Sequence, residues 1–133
     1  MKVFLDTNIL ASALATRGLC ADVLRVILAN EELVTSVEVL VELKRVLVKK
    51  FRMPKQLAVE VMAFLKLDTA ISAASINYVV IFADKDDALI LSAALSAQSD
   101  VFVTGDKLVL GLKKIGKMRI LSAREYWESL RIF

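Results

Sequence analysis

Residues 2–15 read "KVFLDTNILASALA". The apolar run from Lys2 to Leu5 has the length and continuity of a short buried strand. It stops at an acid, a hydroxyl and an amide, Asp6, Thr7 and Asn8, and a helix from Asn8 to Ala15 follows, which Asp6 or Thr7 can cap. A strand passing directly into a helix is the opening of an α/β unit, and the fold turns on whether that pattern continues.

It does continue. Ala21 to Asn30 sets Val23, Leu24, Val26 and Ile27 at helical spacing, and "ELVTS" (32–36) reads as a strand ending at a cap-type Ser36. From Val37 to Phe51, apolar residues at Val37, Leu40, Val41, Leu47, Val48 and Phe51 keep the helical period, while Glu38, Glu42, Arg45 and Lys49 share another face. Pro54 suits the first turn of a further helix through Leu67, and "INYVVIF" (76–82) is β-branched and aromatic enough to be a strand. "DKDDALILSAALSAQ" (84–98) is a helix with acids only at its start and almost no polar face, so it should be buried against a sheet. "DVFVTGD" (100–106) is a strand and its exit turn, "MRIL" (118–121) another strand, and Ser122 caps a helix from Ala123. This alternation predicts a doubly wound three-layer α/β/α sandwich around a mainly parallel sheet.

The 133 residues suit a single domain, spanning 1–133, with a core of its own; 57% are hydrophobic, and the only proline is Pro54. Histidine is absent and Cys20 is the only cysteine, so an internal disulfide, a Cys/His zinc site and an imidazole base are all excluded. Asp6 and Asn8 cut the first apolar run, which disqualifies it as a signal-peptide core, and no run elsewhere is long enough to span a membrane without charges; a cytoplasmic protein with no membrane partner is expected. The apolar excess also points to a buried interface between copies, a homodimer.

In doubly wound folds, ligands bind beyond the carboxyl ends of the strands. Asp6 and Asp106 follow apolar strands, and Asp84, Asp86 and Asp87 follow "VVIF", so three strand exits present acids; Glu42, about two turns into its helix, can lean over the same edge. Each has an ordinary role as well. Asp6, Asp84 and Asp106 suit caps or turns, Asp86 and Asp87 suit a helix dipole, and Glu42 can pair with Arg45 on the surface. Acidic caps gathered on one edge are nevertheless unexpected in a chain that uses Ser36 and Ser122 elsewhere. Converging carboxylates repel one another unless a cation neutralises them, and oxygen ligands alone suit Mg²⁺ or Mn²⁺. Such an ion supports hydrolysis of phosphodiesters without a histidine base.

"LDTN" (5–8), "SVEVLVELKRVL" (36–47), "DKDDALILSAALSAQSDVFVTGD" (84–106) and "ILSAREYWESL" (120–130) together resemble the PIN-domain family, in that order and spacing. Within it they resemble the branch related to the VapC toxins of toxin-antitoxin systems, which are Mg²⁺- or Mn²⁺-dependent ribonucleases. The resemblance implies four catalytic, metal-holding acids, Asp6, Glu42, Asp87 and Asp106, with Asp87 preferred over Asp86 because it heads the alanine-rich helix. It implies supporting polar roles for Thr7, Asn8 and Thr104, and for Asp84 and Asp86 a place beside the metal or a capping role. Leu108 departs from the pattern, since many relatives carry a further acid there; this bears on a second metal. The expected partners are RNA, single-stranded or structured, and a cognate antitoxin protein.

Lys44, Arg45, Lys49, Lys50 and Arg52 cluster in and after the helix carrying Glu42, where an RNA backbone could track them, although basic residues also suit a helix end. Other readings are a PIN nuclease of RNA processing or DNA cleavage outside a toxin-antitoxin pair, a receiver-like domain, or a catalytically inactive interaction domain. A receiver needs an aspartate pair that "FLDTN" lacks.

Overall fold

A computed structural model describes residues 1–130. Strand β1 (Lys2–Leu5) leads into α1 (Thr7–Ala15) and α2 (Leu19–Asn30), and β2 (Glu32–Ser36) into α3 (Val37–Lys49) and α4 (Lys55–Leu67). Then come β3 (Ala70–Ser72), a 3₁₀ turn (Ile76–Tyr78), α5 (Lys85–Ser96), β4 (Val101–Val103), α6 (Lys107–Leu110), β5 (Lys114–Ile115), β6 (Met118–Leu121) and α7 (Ala123–Ser129). The strands form one sheet in the order β3-β2-β1-β4-β6-β5, parallel except where β5 turns back antiparallel on β6. With helices on both faces, this is the expected three-layer sandwich.

The centre of the sheet explains the unbroken apolar runs. Val3, Phe4 and Leu5 of β1 and Val101, Phe102 and Val103 of β4 are buried on both faces, which is what a covered parallel sheet requires. The rings of Phe4 and Phe102 stack with centroids 5.4 Å apart. Helix α5 presents Ile90, Leu91, Ser92, Ala93 and Ala94 to the interior, as its lack of a polar face predicts. Ser36 caps α3 by accepting from the Val39 N–H, and Ser122 makes a reciprocal capping box with Glu125 on α7. Pro54 stands one place earlier than expected, at the cap position of α4.

One expected strand is absent. Residues 76–82 form the 3₁₀ turn and an irregular run, with Val79 75% and Ile81 96% exposed. The edge of β2 is taken instead by β3, paired in register from Val34↔Ala70 to Ser36↔Ser72. Residues 76–82 pair with no strand, and without such neighbours a β-branched composition does not by itself make one. The segment is turned at its start by Ser75, whose hydroxyl accepts from the Asn77 N–H, and is pinned to α5 by the Ser92 hydroxyl, which accepts from the Ser75 N–H at 3.1 Å.

The two readings of residues 76–82 differ in energy. Phe102→Ala should cost about 3–5 kcal/mol in chemical denaturation, whereas Ile81→Ala should stay within about 0.5 kcal/mol. A core-sized loss at Ile81 would contradict the irregular, solvent-facing placement.

Candidate metal centre

Strand β1 lies at the switch point of the sheet: the chain builds outward from it through β2 and β3, then crosses back to β4 on its other side. Asp6 stands at the carboxyl end of β1. Its N–H continues the ladder to the Val103 carbonyl at 2.9 Å, so it faces the end of β4. One oxygen, Oδ1, accepts from the Thr7 N–H at 2.8 Å, and Oδ2 accepts from the Thr104 hydroxyl at 2.7 Å. That same hydroxyl, fully buried, accepts from the Asp106 N–H at 3.1 Å. A single threonine therefore ties together the acids that end two neighbouring strands.

Asp106 also caps α6, with Oδ1 accepting from Leu108 at 2.8 Å and Val109 at 3.3 Å. Asp84 is the cap of α5, accepting from the Asp86 and Asp87 N–H groups at 2.9 and 3.0 Å. The third set of acids thus enters on a helix start, and the strand exit expected for it does not exist. Asp87 is half-buried there, whereas Asp84 and Asp86 are exposed. Glu42 and Asp86 line one groove between α3 and α5, about 610 Å³ in volume, with Arg45 beside them.

Electrostatics show that these groups share one neighbourhood. Burial pushes the Asp6 carboxyl up, against the lowering effect of the Thr104 and Thr7 hydrogen bonds, and Asp106 raises it further. Burial likewise raises Glu42, with Asp6, Asp86 and Asp84 adding to it and Arg45 opposing. Asp87 is pushed up to about 6, by burial first and then by Asp84, Asp6, Asp106 and Glu42. Asp6, Glu42 and Asp87 are thus all raised, by burial first and then by repulsion from the acids around them. Among the described residues, no three carboxylates stand as a finished chelating set. The donor chemistry nevertheless fits a hard divalent cation: all-oxygen ligands, with repulsion that a cation would relieve.

The supporting residues divide. Thr104 has the role described. Thr7 is buried, its N–H is bound to Asp6, and its hydroxyl has no partner among the described residues. Asn8 is exposed and accepts from Lys50 Nζ at 3.3 Å. Arg52 sits in a left-handed turn after α3 (φ 55°). Glu38, outside the expected site residues, also belongs to the groove between α3 and α5. Its Oε2 accepts from the Ala74 N–H at 3.1 Å, holding the segment after β3 against α3, and its Oε1 is buried without a partner at the same groove as Glu42. The available signal was its place one turn before Glu42 on a shared face.

A parallel sheet with helices on both faces and carboxylates across its switch point defines a doubly wound protein with an acidic edge site. The PIN domain family model matches residues 2–108. The chain belongs to that family, whose members are nucleases. No curated protein matches the chain in sequence. In structure it is similar to a chain of VapBC2 from Rickettsia felis, bound there to a DNA fragment from its promoter, with TM-score 0.68 and 21% identity over 92% of this chain and 98% of that one. It is also similar to a chain of VapBC-1 from nontypeable Haemophilus influenzae, with TM-score 0.64 and 19% identity over 93% and 99%.

The raised acid has a pH consequence. Asp87 carries a higher pKa folded, about 6, than its ordinary 3.8, so folding is favoured by its proton below that ordinary value, and the benefit is lost as pH rises through about 6. In chelator, the melting temperature gained by Asp87→Asn over the parent should therefore grow between pH 4 and pH 7. A gain that is flat across that range would contradict the clustered placement.

Proposed function

We propose that the protein is a Mg²⁺- or Mn²⁺-dependent endoribonuclease, the toxin of a toxin-antitoxin pair, with Asp6, Glu42, Asp87 and Asp106 as its catalytic metal-holding acids. The observation that carries this reading is the Thr104 hydroxyl joined to both Asp6 and Asp106 amid two further acids with raised pKa values. A bound divalent ion supplies a water of lowered pKa and positive charge for the phosphate oxygens. The chain's own contribution is to fix the acceptors. Thr104 and the Thr7 N–H orient both Asp6 oxygens while leaving each a second lone pair. Capping α6 commits Oδ1 of Asp106. Asp84 takes the first N–H groups of α5 and so sets the start of the helix from which Asp87 projects. Asp86 is a neighbour in the groove rather than a ligand in this reading. Lys44, Arg45, Lys49, Lys50 and Arg52 supply positive charge for RNA.

The fold shared with chains of VapBC complexes supports an antitoxin protein as partner. Apolar side chains left in the open, Leu67 at 82% and Ile76 at 91% exposure among them, support a second copy as another. No helix among the described residues is long and apolar enough to cross a membrane, which agrees with a cytoplasmic site of action.

The purified protein should cleave single-stranded RNA with Mg²⁺ or Mn²⁺, lose that activity in chelator, and fall to background as Asp6→Asn. Cleavage that survives chelator or the substitution would overturn the mechanism. Thr104→Val, which keeps the shape but removes the hydroxyl, should lower metal affinity or activity about 10- to 100-fold; an unaltered metal titration would remove Thr104 from its role. In sedimentation at micromolar concentration, the protein should run at twice its monomer mass, and a monomer there would argue against the homodimer.

A further inference from the structure

Helix α3 carries Glu42 and helix α5 carries Asp87, and the two helices pack on each other. A polar link joins them through the chain at 74–75. Glu38, one turn before Glu42 on α3, accepts from the Ala74 N–H through Oε2 at 3.1 Å. Ser92, a little over one turn after Asp87 on α5, accepts from the Ser75 N–H at 3.1 Å and donates to the Ser75 carbonyl at 3.3 Å. Two adjacent residues are thereby held from opposite helices. Ser92 is buried among Ile90, Leu91, Ala93 and Ala94, and the Ser75 backbone satisfies its hydroxyl both as donor and as acceptor. Glu38, Glu42 and Asp86 line the groove between the helices, while Ala74, Ser75 and Ser92 line an adjoining one of about 300 Å³ that shares Leu89 with it.

We infer that Glu38 and Ser92 are positioning residues which, through residues 74–75, fix the separation of α3 from α5 and with it that of Glu42 from Asp87. That this separation matters to an ion rests on the metal-dependent function proposed for the protein; the bridge itself does not. Asp6 and Asp106 have oxygens held by hydrogen bonds. Among the described residues the Glu42 and Asp87 carboxylates accept none, so their helices alone place them. A hard divalent ion such as Mg²⁺ demands closely fixed distances to its oxygens, and two ligands on separate helices meet that demand only if the helices are tied together.

Residue-resolved hydrogen exchange of the free protein in chelator reads the bridge without any ion. Glu38→Ala removes the partner of Ala74 and should speed exchange of the neighbouring Ser75 amide as well, by about tenfold, and Ser92→Ala should do the same to the Ala74 amide. Glu38→Gln keeps an acceptor and should leave both protected. In calorimetry with Mn²⁺ and no RNA, Glu38→Ala and Ser92→Ala should each weaken binding about tenfold, and together no more than the worse of the two, because both cut one link. Glu38→Gln should bind within about twofold of the parent. Exchange confined to the amide whose partner was removed, parental Mn²⁺ affinity in Glu38→Ala, losses that multiply in the double variant, or Glu38→Gln as weak as Glu38→Ala would each overturn the inference. A parent that takes up no Mn²⁺ while the exchange effects hold would instead sink the metal-dependent function and leave the bridge standing.

Discussion

The arrangement depends on one buried hydroxyl. Thr104 has a single proton to give, which goes to Asp6, and a lone pair that takes the Asp106 N–H. The second is local, within one turn; the first exists only because β1 and β4 are parallel neighbours in register, Leu5 opposite Val103, so that both chains leave the sheet at the same height. A shift of one residue would turn every side chain of β4 to the other face and separate the acids. The apolar centre of the sheet, Phe4 stacked on Phe102, thus fixes the geometry of a polar site directly above it. Packing and chemistry meet at the ends of these strands.

The same closeness has an electrostatic cost. Asp6 is held by two hydrogen bonds that favour its charged form, yet burial still leaves its carboxyl above the ordinary value. Asp87 lacks comparable support and is raised to about 6. Isolated caps would show no such mutual effect; a helix start normally welcomes an acid, because its unpaired N–H groups attract negative charge. Capping and ligation are therefore compatible roles. Asp84 shows capping alone, satisfying two N–H groups of α5 and standing exposed.

Much of this was legible in the sequence because it is local. β1 ends where the apolar run breaks at Asp6, and Ser36 and Ser122 announce helix starts by chemistry that acts within three residues. The parallel sheet followed from strands apolar throughout. What failed was the choice between neighbouring segments: "INYVVIF" has strand composition, but "AIS" at 70–72 is what pairs with β2, and nothing within either segment records that. β5, two residues long, is too short to carry a pattern. Asp6 and Asp106 were readable as strand-end acids, whereas the bond between them was not, since it joins residues 98 positions apart. Glu38 had no local signal of this kind: its partner, the Ala74 N–H, lies 36 positions away.

Helix α3 shows how one element serves both the fold and the site. Its buried face, Val39, Leu40, Leu43 and Leu47, binds it to the interior. Its outer face runs from acids to bases, Glu38 and Glu42 in the first half, then Lys44, Arg45 and Lys49 toward the end. Of these, Glu38 in the first turn and Lys49 in the last lie where the helix dipole acts, and each has the sign it favours. One helix thus carries Glu42 to the carboxylate groove and Lys44 and Lys49 to a second groove beside it, against the start of α4.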